Sequence, residues 1–160
     1  MKGKPGIIDG LSEVLTAELT AINQYFVHHA MAENWGYDLL AKAVKQEALA
    51  EMKHAEMLIE RLLFYDARPN MQKYSRINIG EDVPDFLKKD LDLELDAVER
   101  LNRLIEEFQK AGDFGAAQLL MQILSDEEEH VDWLETQLGL IASLGLENYL
   151  TRYVSASSGE

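Results

Sequence analysis

The sequence has 160 residues, of which 47% are apolar and 28% charged, values that suit one folded domain with an ordinary core. Its 29 acidic and 15 basic residues give a net charge of −14, which repels nucleic-acid phosphates and attracts cations. It has no cysteine, which excludes disulfides, zinc-thiolate sites and cysteine-held iron–sulfur centres. No apolar run reaches the ~20 residues of a membrane span. We therefore expect a soluble, cytoplasmic protein that binds neither nucleic acid nor membrane.

Between Pro5, Pro69 and Pro84, apolar residues recur at the three- and four-residue spacing of amphipathic helices. This pattern predicts an all-α fold within a single domain of residues 1–160. The expected helices, in chain order, are residues 6–34, 38–65, 83–111 and 114–143, followed by a short fifth helix at 146–154.

Capping residues support these boundaries. Asp38, Asp82 and Asp113 are expected to cap the second, third and fourth helices. Segment 66–82 is too long for a tight turn, and its 17 residues span at most about 55 to 60 Å, more than the ~42 Å length of a 28-residue helix. The second and third helices can therefore run in parallel, so the sequence predicts two helical hairpins joined by one long crossover.

One pattern of acidic residues and histidines occurs twice. A lone Glu is followed 33 residues later by a Glu-x-x-His pair, first at Glu18, Glu51 and His54 and again at Glu94, Glu127 and His130. A Glu and a His three residues apart share one helix face. The midpoint of each copy falls at a predicted turn, so all six side chains are expected at the same height in the bundle.

The acidic residues of this pattern are expected to point inward. Glu94, for example, lies within an apolar stripe that contains Leu87, Leu91, Val98 and Leu101. Four buried carboxylates would repel one another unless they were protonated or neutralised by cations. Two divalent metal ions balance the four negative charges, and mixed Glu/His ligation suits iron or manganese without excluding zinc.

Two lone Glu and two Glu-x-x-His pairs on four helices form the known ligand set of ferritin-like di-iron and di-manganese bundles, so the pattern is recognised here rather than newly derived. Further stretches extend the match. They are Ala21-Ile22-Asn23-Gln24-Tyr25-Phe26, Asn34-Trp35-Gly36, Glu51-Met52-Lys53-His54-Ala55, Asn78-Ile79-Gly80-Glu81 and the run from Asp126 to Thr136. On these residues the chain resembles bacterioferritin, the haem-containing bacterial ferritin, over nearly its whole length.

The resemblance implies a ferritin-like four-helix bundle and an iron-storage function. The six repeated residues would form a di-iron ferroxidase centre, with Glu51 and Glu127 as bridging carboxylates, that oxidises Fe(II) with dioxygen or hydrogen peroxide. Ferric mineral would then be stored inside a homo-oligomeric shell of 24 subunits built from dimers. Tyr25, on the same face as Glu18, would hydrogen-bond a ligand or donate an electron, and a core role for this tyrosine is an equal alternative.

The resemblance also assigns a haem ligand. Met52 would bind the iron of a haem b that is shared with the same residue of a second subunit, as a twofold interface allows. It follows Glu51 directly and so points about 100° away from the metal cage. A reductant ferredoxin would be a further partner.

Some positions depart from the family pattern. Gln46 and Ala50 stand where several bacterioferritins have His and Asp near an inner-surface iron site, and Ala67-Arg68-Pro69-Asn70 replaces Gly-Leu-Pro-Asn at the start of the crossover. His28 and His29 have no ligand partner in the sequence and are expected at a surface or interface.

Three other functions compete with iron storage. A soluble di-iron oxidase or peroxidase without storage would resemble rubrerythrin-like proteins, but the chain lacks their cysteine-rich electron-transfer module. A DNA-protecting mini-ferritin would place its iron site between subunits. A bundle without metal function would leave the buried carboxylates unexplained.

Overall fold

The computed structural model describes residues 1–155, which are all-α. The helices are α1 (Pro5–Asn34), α2 (Asp38–Phe64), α3 (Val83–Lys110), α4 (Phe114–Leu144) and α5 (Leu146–Thr151). None of the helices in this described part is long and apolar enough to cross a bilayer.

Two of the three expected capping residues form caps, and the fifth helix is shorter than expected. Asp82 accepts from the Asp85 N–H at 2.9 Å, and Asp113 accepts from the Ala116 N–H at 3.0 Å, which confirms both caps. The capping role expected of Asp38 is wrong, because Asp38 is the first residue of α2 and its carboxylate accepts instead from the Ser155 N–H. The same contact explains why α5 ends before residue 154, since the chain turns there towards the start of α2.

The predicted pair of hairpins is confirmed. α1 packs along α2, and α3 packs along α4. Gly36 (φ 90°) and Gly112 (φ 74°) lie in the two short connections, where the left-handed backbone favours glycine. The irregular segment 65–82 then joins the hairpins, so the chain forms a four-helix bundle with one long crossover and a short fifth helix.

The core consists of two apolar clusters at opposite ends of the bundle. The first includes Leu15, Leu58, Leu104 and Leu120, and the second includes Leu40, Phe86, Leu134 and Tyr149. Each fully buried leucine contributes about 1.5–3 kcal/mol of transfer free energy. On each helix the repeated Glu and His residues lie at or beside the boundary between the segments that form these clusters, and so lie at mid-height in the bundle.

Polar side chains of α1 hold the crossover against the bundle. These side chains recur every four residues, and each accepts a hydrogen bond from a backbone N–H group of the crossover. Thr20 accepts from Ser75 at 2.9 Å, Gln24 accepts from Asn78 at 3.1 Å, and His28 accepts from Gly80 at 2.9 Å. A Cβ on Gly80 would lie 2.4 Å from the Phe86 nitrogen, so only glycine allows this close approach.

Asp90 of α3 holds two members of this polar row, Gln24 and His28, in place. One of its carboxylate oxygens accepts from Gln24 Nε2 and from His28 Nδ1, both at 2.8 Å. The surface position expected of His28 is therefore wrong. The ring is fully buried, because the crossover covers this face of α1 and supplies the second hydrogen bond of the imidazole.

We predict that Asp90→Ala loosens the crossover. The substitution leaves the Gln24 amide and the His28 ring N–H as buried donors without an acceptor, at about 1–3 kcal/mol each. Hydrogen exchange of the Ser75, Asn78 and Gly80 amides should accelerate at least tenfold. Asp96→Ala, an exposed acid on the same helix, should leave these rates unchanged, and equal rates in both variants would contradict the anchoring role.

Candidate metal centre

Six polar side chains meet at the middle of the bundle. α1 and α3 each contribute one carboxylate, while α2 and α4 each contribute a carboxylate and an imidazole one helical turn apart. All six are at most 5% exposed. They are the residues of the repeated pattern, Glu18, Glu51, His54, Glu94, Glu127 and His130.

The donor atoms form two groups that share one carboxylate. Within each group, the atoms lie within 4.8 Å of one another, close enough for one cation to bind them all. We call these groups the first half-site, formed by Glu18, Glu51, His54 and Glu127, and the second half-site, formed by Glu51, Glu94 and His130.

Several of these atoms lack hydrogen-bond partners. Glu18 Oε2, Glu94 Oε2 and His54 Nδ1 are buried and make no hydrogen bond with any of residues 1–155, although an unsatisfied buried polar group costs about 1–3 kcal/mol. His54 Nδ1 lies only 2.9 Å from a Glu127 oxygen, but without the geometry of a hydrogen bond. The atoms converge on a common space instead of pairing with each other, and this arrangement fits metal ligands.

The electrostatics of the cage also favour cations. Burial raises the pKa of the Glu51 and Glu94 carboxyls well above the ordinary value, and the nearby charge of Glu127 raises both pKa values further. Burial lowers the pKa of His54, but the close carboxylates of Glu127, Glu18 and Glu51 outweigh burial and the net shift is upward. The metal-free cage therefore retains protons that bound cations would displace.

Tyr25 is buried against the second half-site. Its hydroxyl donates to Glu94 Oε1, and its ring meets the His130 ring edge-on at 5.4 Å between centroids. The expected hydrogen bond between Tyr25 and a cage residue is therefore present. The Glu94 oxygen is also 3.0 Å from His130 Nδ1, so the tyrosine orients the carboxylate that faces this histidine.

Two acidic residues beside the cage were missed by the sequence reasoning. Asp126 Oδ2 lies 2.9 Å from His54 Nε2, and Glu47 Oε2 lies 3.4 Å from His130 Nδ1. Their side chains are 53% and 30% exposed, so both lie at the rim. Glu47 precedes Glu51 by one helical turn, a spacing that could have indicated its position.

A small cavity adjoins the cage. It has a volume of about 140 Å³ and is lined by carboxylates of the cage and by Ser75, Arg76 and Asn78 of the crossover. Pockets for drug-sized organic ligands measure about 300–1,000 Å³, whereas one water occupies about 30 Å³. The cavity therefore suits water or a small oxidant and is too small for a drug-sized organic substrate.

Met52 lies outside the cage. Its side chain is 45% exposed on α2, and the neighbouring Leu49 is 42% exposed, so the two present an apolar outer face. Gln46 is exposed and Ala50 is half-buried on the same helix, and neither position carries a carboxylate or an imidazole.

The chain is similar to known iron-associated proteins along nearly its whole length. A family profile described as the ferritin-like domain matches residues 8–144. A bacterioferritin of Streptomyces coelicolor is 44% identical over 96% of this chain and 92% of its own length. A bacterioferritin of Mycobacterium leprae is 43% identical over 97% and 98% of the two chains. A bacterial ferritin of Synechocystis is 40% identical over 97% of this chain and all of the relative.

We predict that divalent metal stabilises the protein by neutralising the cage. A ligand at 100 times its dissociation constant adds about 2.7 kcal/mol per site, and each kcal/mol raises the Tm by about 2–4 °C at this size. Chelator-treated protein should therefore gain about 5–10 °C in Tm for each site that Mn²⁺ fills. Glu127→Ala should largely abolish the gain.

The pH dependence of the metal-free protein offers a second check. The pKa of the Glu94 carboxyl is higher in the folded protein than in the unfolded chain, so the folded protein binds this proton more tightly. The contribution of Glu94 to stability therefore falls as the pH rises above the ordinary pKa of 4.5. In Glu94→Gln the amide that replaces the carboxyl does not ionise as the pH rises. The metal-free variant should unfold at a higher temperature than wild type at pH 7 and at nearly the same temperature at pH 4.5. A constant difference across this range would contradict the buried carboxyl.

Proposed function

The chain belongs to the bacterioferritin family of ferritin-like proteins, and from this premise we propose that its buried cage is a ferroxidase centre. The protein stores and detoxifies iron. Ferrous ions are the substrate of the cage, and ferric mineral is the stored product. The observation that carries this proposal is the convergence of six buried donors, three of which have an atom without a hydrogen-bond partner.

Charge balance assigns two ferrous ions to the cage. Four carboxylates and two neutral imidazoles carry four negative charges, which two Fe(II) ions neutralise. Glu18 and His54 would hold one ion and Glu94 and His130 the other. In this proposal Glu51 and Glu127 bridge the two ions.

The reaction balances without an external reductant. Two Fe(II) ions release two electrons as they become Fe(III), and dioxygen takes up these electrons with two protons to give hydrogen peroxide. Hydrogen peroxide, as the alternative oxidant, takes up two electrons and two protons to give two waters. Tyr25 keeps Glu94 oriented through its hydroxyl and is close enough to the second half-site to supply an electron.

The storage function is favoured over an oxidase that acts on an organic substrate. A cavity of about 140 Å³ admits a small oxidant and is too small for a drug-sized organic substrate. The relatives named bacterioferritin align over almost the full chain. We propose that the protein forms a homo-oligomeric shell of 24 subunits built from dimers, which at 18.1 kDa per chain has a mass of roughly 430 kDa.

Haem and a reductant complete the proposal. The exposed Met52 and Leu49 form the face that would meet a second subunit, with haem b bound between two copies of Met52. Return of stored ferric iron to the ferrous state needs electrons, so we include a ferredoxin-type reductant as a partner. We place the protein in the cytoplasm, because disulfide bonds are rare in that compartment and this chain has no cysteine to form them.

Ferrous oxidation by the metal-free shell tests the function. Wild type should oxidise about two Fe(II) per chain in a fast phase and retain the iron in the particle on size exclusion. Glu94→Ala and Glu127→Ala should slow this phase at least 100-fold, because each removes a cage carboxylate. Glu99→Ala, an exposed acid on α3, should oxidise at the wild-type rate.

The possible outcomes separate the competing functions. Oxidation without retained iron would favour the oxidase, and fast oxidation by both variants would contradict the ligand assignment. A particle much smaller than 24 chains would contradict storage in a shell.

We predict that Met52→Leu abolishes haem binding and preserves ferroxidase activity. Leucine keeps the apolar surface but has no sulfur ligand. The variant should lose the haem absorption band of haem-reconstituted protein, as measured by visible spectroscopy. Met57→Leu on the same helix, beside Arg61 and Phe64, makes the same chemical change and should retain the band. Equal haem content in both variants would remove the assignment to Met52.

A further inference from the structure

Asp126 contacts the cage without belonging to it. It directly precedes Glu127 on α4, and its Oδ2 lies 2.9 Å from Nε2 of His54 on α2. The Asp126 side chain is 53% exposed, whereas that of His54 is 3% exposed. A carboxylate at the rim is thus bonded to the outward nitrogen of a buried imidazole.

The inward nitrogen of the same ring faces the first half-site. His54 Nδ1 lies 2.9 Å from a Glu127 oxygen and 3.4 Å from oxygens of Glu18 and Glu51. A neutral imidazole carries one proton, on either nitrogen. A carboxylate at Nε2 draws the proton to that side and leaves the Nδ1 lone pair free for a metal.

We propose that Asp126 is a positioning residue for His54. It fixes the orientation and the Nε2–H tautomer of the ring, and it makes Nδ1 a stronger metal donor. Carboxylates that bond metal-binding histidines in this way change metal affinity by about 10–100-fold. The inference rests on the proposed cage function and assigns a role to a residue outside the cage.

The two histidines of the cage differ in this respect. The hydrogen bonds and ion pairs found among residues 1–155 give His130 two carboxylate neighbours, Glu94 at 3.0 Å and Glu47 at 3.4 Å, and both face Nδ1. Of the two cage histidines, only His54 has a carboxylate from the described residues bonded to its Nε2. Loss of Asp126 should therefore weaken the first half-site and leave the second almost unchanged.

Cobalt binding to the metal-free shell tests this role without any turnover. Co²⁺ is titrated into the protein under anaerobic conditions, and the visible absorption of bound cobalt follows the filling of both half-sites. Wild type should bind two ions per chain. Asp126→Ala should weaken one binding step 10–100-fold and leave the other within threefold.

Two further variants isolate the cause. Asp126→Asn keeps an oxygen that can accept from Nε2–H, and it should recover most of the lost affinity. Glu129→Ala removes the same charge from an exposed position one turn along α4 and should bind cobalt as wild type does. If the alanine variant fails to fold, Asp126→Ser replaces it, because the shorter side chain does not reach Nε2 and should cause the same loss at one binding step.

The outcomes distinguish this inference from the function on which it rests. Wild-type affinity at both steps in Asp126→Ala would overturn the positioning role, as would an equal loss at both steps or in Glu129→Ala. Failure of the wild-type shell to bind cobalt, or cobalt binding that Glu127→Ala leaves intact, would instead overturn the proposed cage.

Discussion

Four carboxylates buried at the centre of an apolar bundle are the constraint on which the rest of the structure depends. Burial and the charge of neighbouring carboxylates raise the pKa of Glu51 and Glu94, and within residues 1–155 one oxygen each of Glu18 and Glu94 has no hydrogen-bond partner. Apolar clusters on both sides supply the packing free energy that keeps this layer buried. Bound cations would therefore stabilise this layer more than its own hydrogen bonds do.

The crossover is coupled to this layer through α3. Ser75 and Asn78 line the cavity beside the cage, and their backbone N–H groups bond to polar side chains of α1. Asp90, which supports that row, lies one helical turn before Glu94. A shift of α3 that moved the cage carboxylate would therefore disturb the anchoring of the crossover, so the covering segment and the cage respond together.

The sequence predicted the cage because its residues are related by short-range rules, namely one helical turn within a pair and equal distances from a tight turn. It failed where contacts cross the bundle. His28 meets Asp90 from 62 residues away, and no periodicity reveals that partner. Asp126 stands in an acidic run beside exposed neighbours, and only its contact with His54 distinguishes it. Met52 is an exposed methionine whose proposed role came from family resemblance, supported by its direction away from the cage on α2.

Charge balance bears on whether iron stays in the proposed cage. Two ferrous ions neutralise four carboxylates, but two ferric ions leave an excess of two positive charges in a site with little water. The desolvation that disfavours the empty, fully ionised cage then also disfavours the oxidised one. The nearest additional carboxylates, Glu47 and Asp126, lie at the partly exposed rim, where solvent can hydrate the product. The four carboxylates of the proposed cage therefore match two ferrous ions, whereas retention of two ferric ions would need two further negative charges, which hydroxide formed from water at the rim could supply.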